Sequence, residues 1–270
     1  MAIALPPCRT PVKPQLQEAE LRAISDARAP RTAMQTIQLI RLGRTTYPHA
    51  LQVQRTIHAH CVRSGKNIVL LTEHEPVITL GYRRLLEQVR VAPEALAACG
   101  IAVMETERGG GATYHGPGQL VVYPLFSSLL RRLGVRRVVA GLEEAMGRVS
   151  RTCGVPAERR VGLPGVWVEK RKLGAVGLAV RRGVSLHGCA LNVNLDLQPF
   201  SYIIPCGLLG TEVTSLAREL DVAVSMAVVE ASFLQEFAAV FTATWEEGPN
   251  EWGRIERETL ARSLDYHQSS

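Results

Sequence analysis

The chain has 270 residues, 46% of them hydrophobic, and its 31 lysines and arginines against 25 acidic residues give a formal net charge of +6. That length and apolar content suffice for one sizeable core, and no run of ~18 apolar residues is present to form a transmembrane helix. The six cysteines, Cys8, Cys61, Cys99, Cys153, Cys189 and Cys206, show no CxxC or zinc spacing and fit a reducing, cytoplasmic setting better than a disulfide framework.

In chain order, residues 1–33 carry Pro6, Pro7, Pro11, Pro14 and Pro30 and read as a loosely ordered extension, with a short helix over Gln15 to Ala27. Its Glu18, Glu20 and Asp26 are unlike an acid-poor transit peptide. Thr36 to Leu42 then predicts a strand, Tyr47 to Arg63 an amphipathic helix, and Asn67 to Thr72 a buried strand. Pro93 to Ala98 predicts a short helix before the strand Ile101 to Thr106, and Gln119 to Pro124 a further strand. Val135 to Thr152 has helical spacing with Gly154 as its stop. Val166 to Asn194 reads as a hairpin turning near Arg182-Gly183, and Ser225 to Phe241 as a late helix. Strands interspersed with helices and a hairpin predict a mixed-sheet α/β (α+β) domain over residues 34–245, followed by a tail at 246–270.

Three segments carry chemistry. Arg108 to Gln119 (RGGGATYHGPGQ) holds five glycines in twelve residues, enough to bring backbone against a ligand. It lacks the Lys-[Ser/Thr] ending of a P-loop and the Rossmann glycine spacing, so it suits a phosphate, a thin acyl chain, or only a tight turn. Phe200 to Gly207 (FSYIIPCG) sets Cys206 between a proline and a glycine after an apolar run, a position open to a nucleophile or to an inert buried thiol. Arg171 to Leu178 (RKLGAVGL) and His187 to Asn192 (HGCALN) fall on the two arms of the expected hairpin, which can hold Lys172 and His187 in one cleft.

Together with Glu73 to Gly81 (EHEPVITLG), these blocks resemble the lipoyl(octanoyl) transferases in order and spacing, across roughly residues 34 to 240. The resemblance implies a mixed sheet flanked by helices, like the catalytic domain of biotin and lipoate protein ligases, acting as a monomer without metal or other cofactor. It implies Cys206 as the acyl-thioester nucleophile and Lys172 as its cationic partner. Arg108, Gly109, Gly110, Gly111, Ala112, Thr113, Tyr114, His115, Ala175, Val176, Gly177, His187, Gly188 and Cys189 are expected to line the acyl pocket. Cys189 departs from the family, where leucine or phenylalanine is commoner, which leaves pocket width open. The implied donor is octanoyl-acyl carrier protein. The implied acceptors are the apo lipoyl domains of 2-oxoacid dehydrogenases and the glycine cleavage H protein.

A cysteine with pKa ~8.5 is only about 3% thiolate at neutral pH, so a nearby ammonium suits a thioester exchange. Arginine pairs at 131–132, 136–137, 159–160 and 181–182 suit an acidic carrier; with no nucleic-acid motif and no apolar span, neither nucleic acid nor membrane is expected as a partner. An ATP-dependent lipoate or biotin ligase, or a non-catalytic acyl- or carrier-binding protein, are the competing readings.

Overall fold

The computed structural model describes residues 34–83, 86–205 and 210–248. The expected Gln15 to Ala27 helix and Cys206 lie outside the described residues. The first described elements form a parallel crossover unit: β1 (Gln35–Thr45), α1 (Tyr47–Ser64) and β2 (Ile68–His74). Thr46 to Pro48 starts the helix with proline in its first turn, where a missing amide proton costs nothing, and left-handed Gly65 closes it. β2 is apolar on both faces because both are covered: Ile68 and Leu70 pack toward α1, whereas Val69 and Leu71 pack in the main core.

The chain then builds a small sheet. β3 (Val77–Leu80) is flanked by parallel β4 (Ala102–Glu105) and antiparallel β5 (Thr113–His115), with α2 (Pro93–Ala98) leading into β4. From it, β6 (Gln119–Leu125) returns to the main sheet beside β2. Helices α3 (Ser128–Leu133) and α4 (Val135–Thr152) follow, then β7 (Glu158–Arg160) and β8 (Leu163–Val168). β9 (Arg171–Arg181) and β10 (Val184–Asn192) turn at Arg182 and Gly183, both at positive φ. The expected hairpin is thus the second half of a four-stranded meander, because β7 pairs antiparallel with β8 and Glu169, also at positive φ, turns the chain between β8 and β9. β11 (Glu212–Val213), α5 (Leu216–Leu220), α6 (Met226–Phe241) and β12 (Ala243–Glu247) complete the described chain, and β12 runs past the boundary expected at residue 245.

The main sheet runs β12-β1-β2-β6-β10-β9-β8-β7, with β11 added parallel to β9. Its antiparallel centre and parallel flank make it mixed. One face carries α1; the other carries α4 and α6, whose Met146, Phe233, Phe237 and Phe241 fill the core over Val122, Leu173 and Leu191. Helix α6 is capped by the Ser225 hydroxyl, which accepts from the Val228 amide.

Gly188 sits where β10 crosses β6 so closely that a Cβ there would meet the Val122 carbonyl oxygen at 1.9 Å. Since that obstacle is backbone, Gly188→Ala is expected to cost about 3 kcal/mol. In a domain of this size that lowers Tm by roughly 6–12 °C in a thermal melt; an unchanged Tm would show that the two strands can separate freely.

Candidate active site

A narrow cleft lies between the main sheet and the loop that joins β4 to β5. Its floor is paved with small residues: Gly177 pairs with Gly188 across β9 and β10, and Ala175 with Ala190, next to Val121 of β6. Opposed residues of an antiparallel pair share a face, so these two pairs lower the floor together. The roof is the glycine loop. A Cβ on Gly81 would lie 1.8 Å from the Gly110 carbonyl oxygen, and one on Gly177 2.8 Å from that of Gly109. The Gly109 amide donates to the Leu178 carbonyl (3.1 Å), and the Tyr82 amide to that of Arg108 (2.9 Å).

Arg108 holds this roof. Its guanidinium donates to the Thr79 carbonyl (2.6 Å), to the Thr79 hydroxyl (2.8 and 3.0 Å) and to the Gly109 carbonyl (3.1 Å). The planar fork of an arginine meets both backbone and hydroxyl of one residue, which a lysine cannot do. Part of its charge is therefore committed to the loop, an arrangement that favours a thin apolar occupant over a phosphate.

Of the residues expected to line the pocket, Arg108, Gly109, Gly110, Thr113, His115, Ala175, Val176, Gly177, His187, Gly188 and Cys189 border the cleft, joined by Tyr47 and Tyr123. Tyr114 does not. It alternates with Thr113 and His115 along β5 and turns into a separate core with Ile78, Leu80 and Leu195, its ring edge-on to Phe200. Ala112 packs in that same core, with its amide on the Gln88 side chain (2.6 Å), and Gly111 is absent from the lining. Cys189 contributes backbone to the cleft while its side chain joins the main core beside Leu191 and Val122, so the residue's size does not set the width of the floor.

Lys172 lies at the other end of the same run. It is buried, 6% exposed, with Nζ 5.3 Å from the centre of the Trp167 ring, a cation over an aromatic face. It shares a small cavity with Gln119, Asn192, Pro205, Thr113 and Ala175; the last two also line the cleft, so the cavities meet. Pro205 pairs with Ala112 and is bonded to Cys206, outside the described residues. Lys172 and His187 line two different, adjoining cavities, at opposite ends of the pair. His187 pairs with Leu178, six residues from Lys172 along β9 or about 20 Å.

A chain of side chains ties the cleft to this end. His115 Nδ1 donates to Gln119 Oε1 (2.7 Å), Gln119 Nε2 to Asn192 Oδ1 (2.8 Å), and Asn192 Nδ2 to the Thr214 carbonyl (2.9 Å). His74 donates to the Thr45 carbonyl (3.2 Å) and accepts from the Tyr123 hydroxyl (2.6 Å). Burial, with the backbone bond opposing it, pulls His74 down to about 4. Burial, then the nearby His74 and Arg108, pulls His115 well below the imidazole range, and burial lowers His187 against the pull of Glu107. Burial thus favours the neutral form of His115 and His187, which border the cleft, and of His74 beside them. Among the described cysteines, burial pushes Cys61 up to about 12 and raises Cys153 and Cys189, making them poor nucleophiles.

Sequence reasoning missed Tyr47, Gln54 and Glu107. The Glu107 carboxylate faces His187, with Oε2 3.8 Å from Nε2; this imidazole neighbour draws its pKa down to about 2. Adjacency to Arg108 was the only signal it offered.

The described chain matches the family model for the lipoyl protein ligase A/B catalytic domain over residues 46–238. It is 44% identical over 212 residues to the octanoyltransferase of Roseiflexus sp. (strain RS-1), covering 77% of this chain and 88% of the relative. To that of Desulfotalea psychrophila (strain LSv54 / DSM 12343) it is 43% identical over 207 residues, 75% and 93% of the two chains. The chain belongs to the lipoyl protein ligase A/B catalytic-domain family, and within it to the octanoyltransferases. Among solved structures it is similar to lipoate-protein ligase A bound with ATP, with TM-score 0.69 and 21% identity over 83% of this chain and 94% of the other. It is also similar to a bipartite lipoate protein ligase of Thermoplasma acidophilum, with TM-score 0.68 and 22% identity over 83% and 91%. At that identity the likeness is one of fold.

The histidines set an acid limit. In the folded protein their pKa values are depressed, whereas an unfolded imidazole titrates near ~6.5, so the unfolded state binds more protons below that pH. Stability is then full above pH ~6.5 and falls as pH drops toward 4, with Glu107 adding a further loss between ~4.3 and 2. Urea unfolding at pH 7.5, 6 and 5 should show this decline; a flat profile would mean that the rings protonate in place.

Proposed function

We propose that the protein carries an octanoyl group from the phosphopantetheine thioester of an acyl carrier protein, through a thioester on Cys206, to the acceptor lysine of a lipoyl domain. Octanoyl transfer is the activity named for its relatives. The observation that carries the cysteine route is the burial of Lys172 in the cavity that Pro205, the neighbour of Cys206, also lines.

In the first step the Cys206 thiolate, favoured by an ammonium close by, attacks the donor carbonyl. The tetrahedral adduct expels the pantetheine sulfur, which takes a proton from Lys172 and departs as a thiol. The acyl chain lies along the Gly/Ala floor, where apolar burial contributes about 0.8 kcal/mol per methylene. In the second step the amine of the acceptor lysine attacks the Cys206 thioester and its proton passes to neutral Lys172. Cys206 leaves as thiolate, the amide is released, and the ion pair is restored. No nucleotide enters either step. A lysine suits this cycle because guanidinium does not give up its proton near neutral pH.

Single-turnover mass spectrometry separates these roles. Cys206→Ser should gain no octanoyl adduct, whereas Lys172→Arg should still be acylated. On chase with apo lipoyl domain, the arginine variant should release product slower by about two to four orders of magnitude. An adduct on another residue would remove Cys206 from the route; an undiminished chase would leave Lys172 an electrostatic role alone.

A further inference from the structure

The end of the cleft away from Lys172 is closed by an unusual residue. His187 has φ +58°, in the left-handed region that few residues other than glycine adopt. The consequence is directional. Its cross-strand partner Leu178 packs on the main core, as do Cys189 and Leu191 farther along β10, so simple alternation would send His187 there too. Instead its ring meets Tyr47 and Glu107 across the cleft.

The ring is held from several sides. The His187 amide donates to Gln54 Oε1 (3.0 Å), the Tyr47 hydroxyl lies 3.4 Å from Nδ1, and Nε2 faces the Glu107 carboxylate. It is 1% exposed, and Nε2 and Glu107 Oε1 are buried without a hydrogen-bond partner. Behind this wall Glu107 borders a separate surface groove with Arg55, Arg63 and Arg181. His187, backed by Glu107, therefore stands between the cleft and an arginine-lined groove.

The geometry points to His187, braced by Tyr47, Gln54 and Glu107, as the stop that sets acyl-chain length. This rests on the proposed course of the acyl chain from the Lys172 end. Ala190 pairs with Ala175, which lines both the cleft and the Lys172 cavity; from that junction to His187 the strand advances about 10 Å, and seven C–C bonds of about 1.5 Å span roughly 9 Å in zigzag. A longer chain must displace a ring anchored by strained backbone, or place methylenes against a carboxylate and arginines. The polar wall thus excludes by desolvation as well as by bulk.

The test uses equimolar octanoyl- and dodecanoyl-acyl carrier protein with one lipoyl domain, reading the ratio of the two amide products by mass spectrometry. The unmodified enzyme should yield chiefly octanoyl product. His187→Gly, which suits the positive φ and removes the ring, should shift the ratio at least tenfold toward dodecanoyl; His187→Asn should shift it less. Because the ratio is internal, a smaller folded fraction does not alter it. The proposal is overturned if both variants keep the original ratio, if they lose transfer of both chains alike, or if the unmodified enzyme already uses dodecanoyl as readily as octanoyl. Absence of any transfer by the unmodified enzyme would instead contradict the function on which the proposal rests.

Discussion

The cleft depends on backbone meeting backbone on both sides of one loop. Gly81 and Gly177 let the carbonyls of Gly110 and Gly109 approach within distances that any side chain would block, and the Arg108 guanidinium pins the loop to Thr79. A cleft formed in this way is thin, because Gly109 and Gly110 in its roof carry no side chains and the floor offers only glycine and alanine. The same closeness excludes water, which keeps His74, His115 and His187 uncharged and leaves Arg108 as the cation built into the wall.

This arrangement divides the groove by chemistry. At one end, Lys172 stands over Trp167 beside Pro205, with Gln119 and Asn192 in a fixed chain of hydrogen bonds. In the middle the floor is glycine and alanine. At the far end Tyr47, His187 and Glu107 form a polar wall. Cation, apolar run and polar wall thus follow one another from the Lys172 cavity along the cleft.

Much of the frame was legible because its signals are local. Pro48 and Gly65 bracket the first helix, Ser225 caps the last long one, and Gly183, free to take positive φ, marks the turn between β9 and β10. The glycine loop was legible as a segment that brings backbone close to its neighbours, for the same reason. What escaped depends on which way a side chain faces. Tyr114 belongs to the quoted motif yet packs away from the cleft by strand alternation, and Cys189 faces the main core. His187 breaks alternation through a single dihedral, which no pattern of residue types encodes. Glu107, Gln54 and Tyr47 meet His187 only because α1 and the small sheet cross β10, so their role is tertiary from the outset. Short β11 and β12 were also unread; two and five residues give too little periodicity to register.

Its fold is shared with lipoate ligases, one of them solved with ATP bound. The proposed transferase differs from a ligase on one point: its acyl group would arrive already activated, so that transfer would need no nucleotide. The most direct measurement is the mass gain of an apo lipoyl domain incubated with the purified protein and octanoyl-acyl carrier protein, after enzymatic removal of all nucleotide. The account predicts full conversion to octanoyl-lysine at a rate that added ATP and magnesium leave unchanged. Conversion only from free octanoate together with ATP would contradict it.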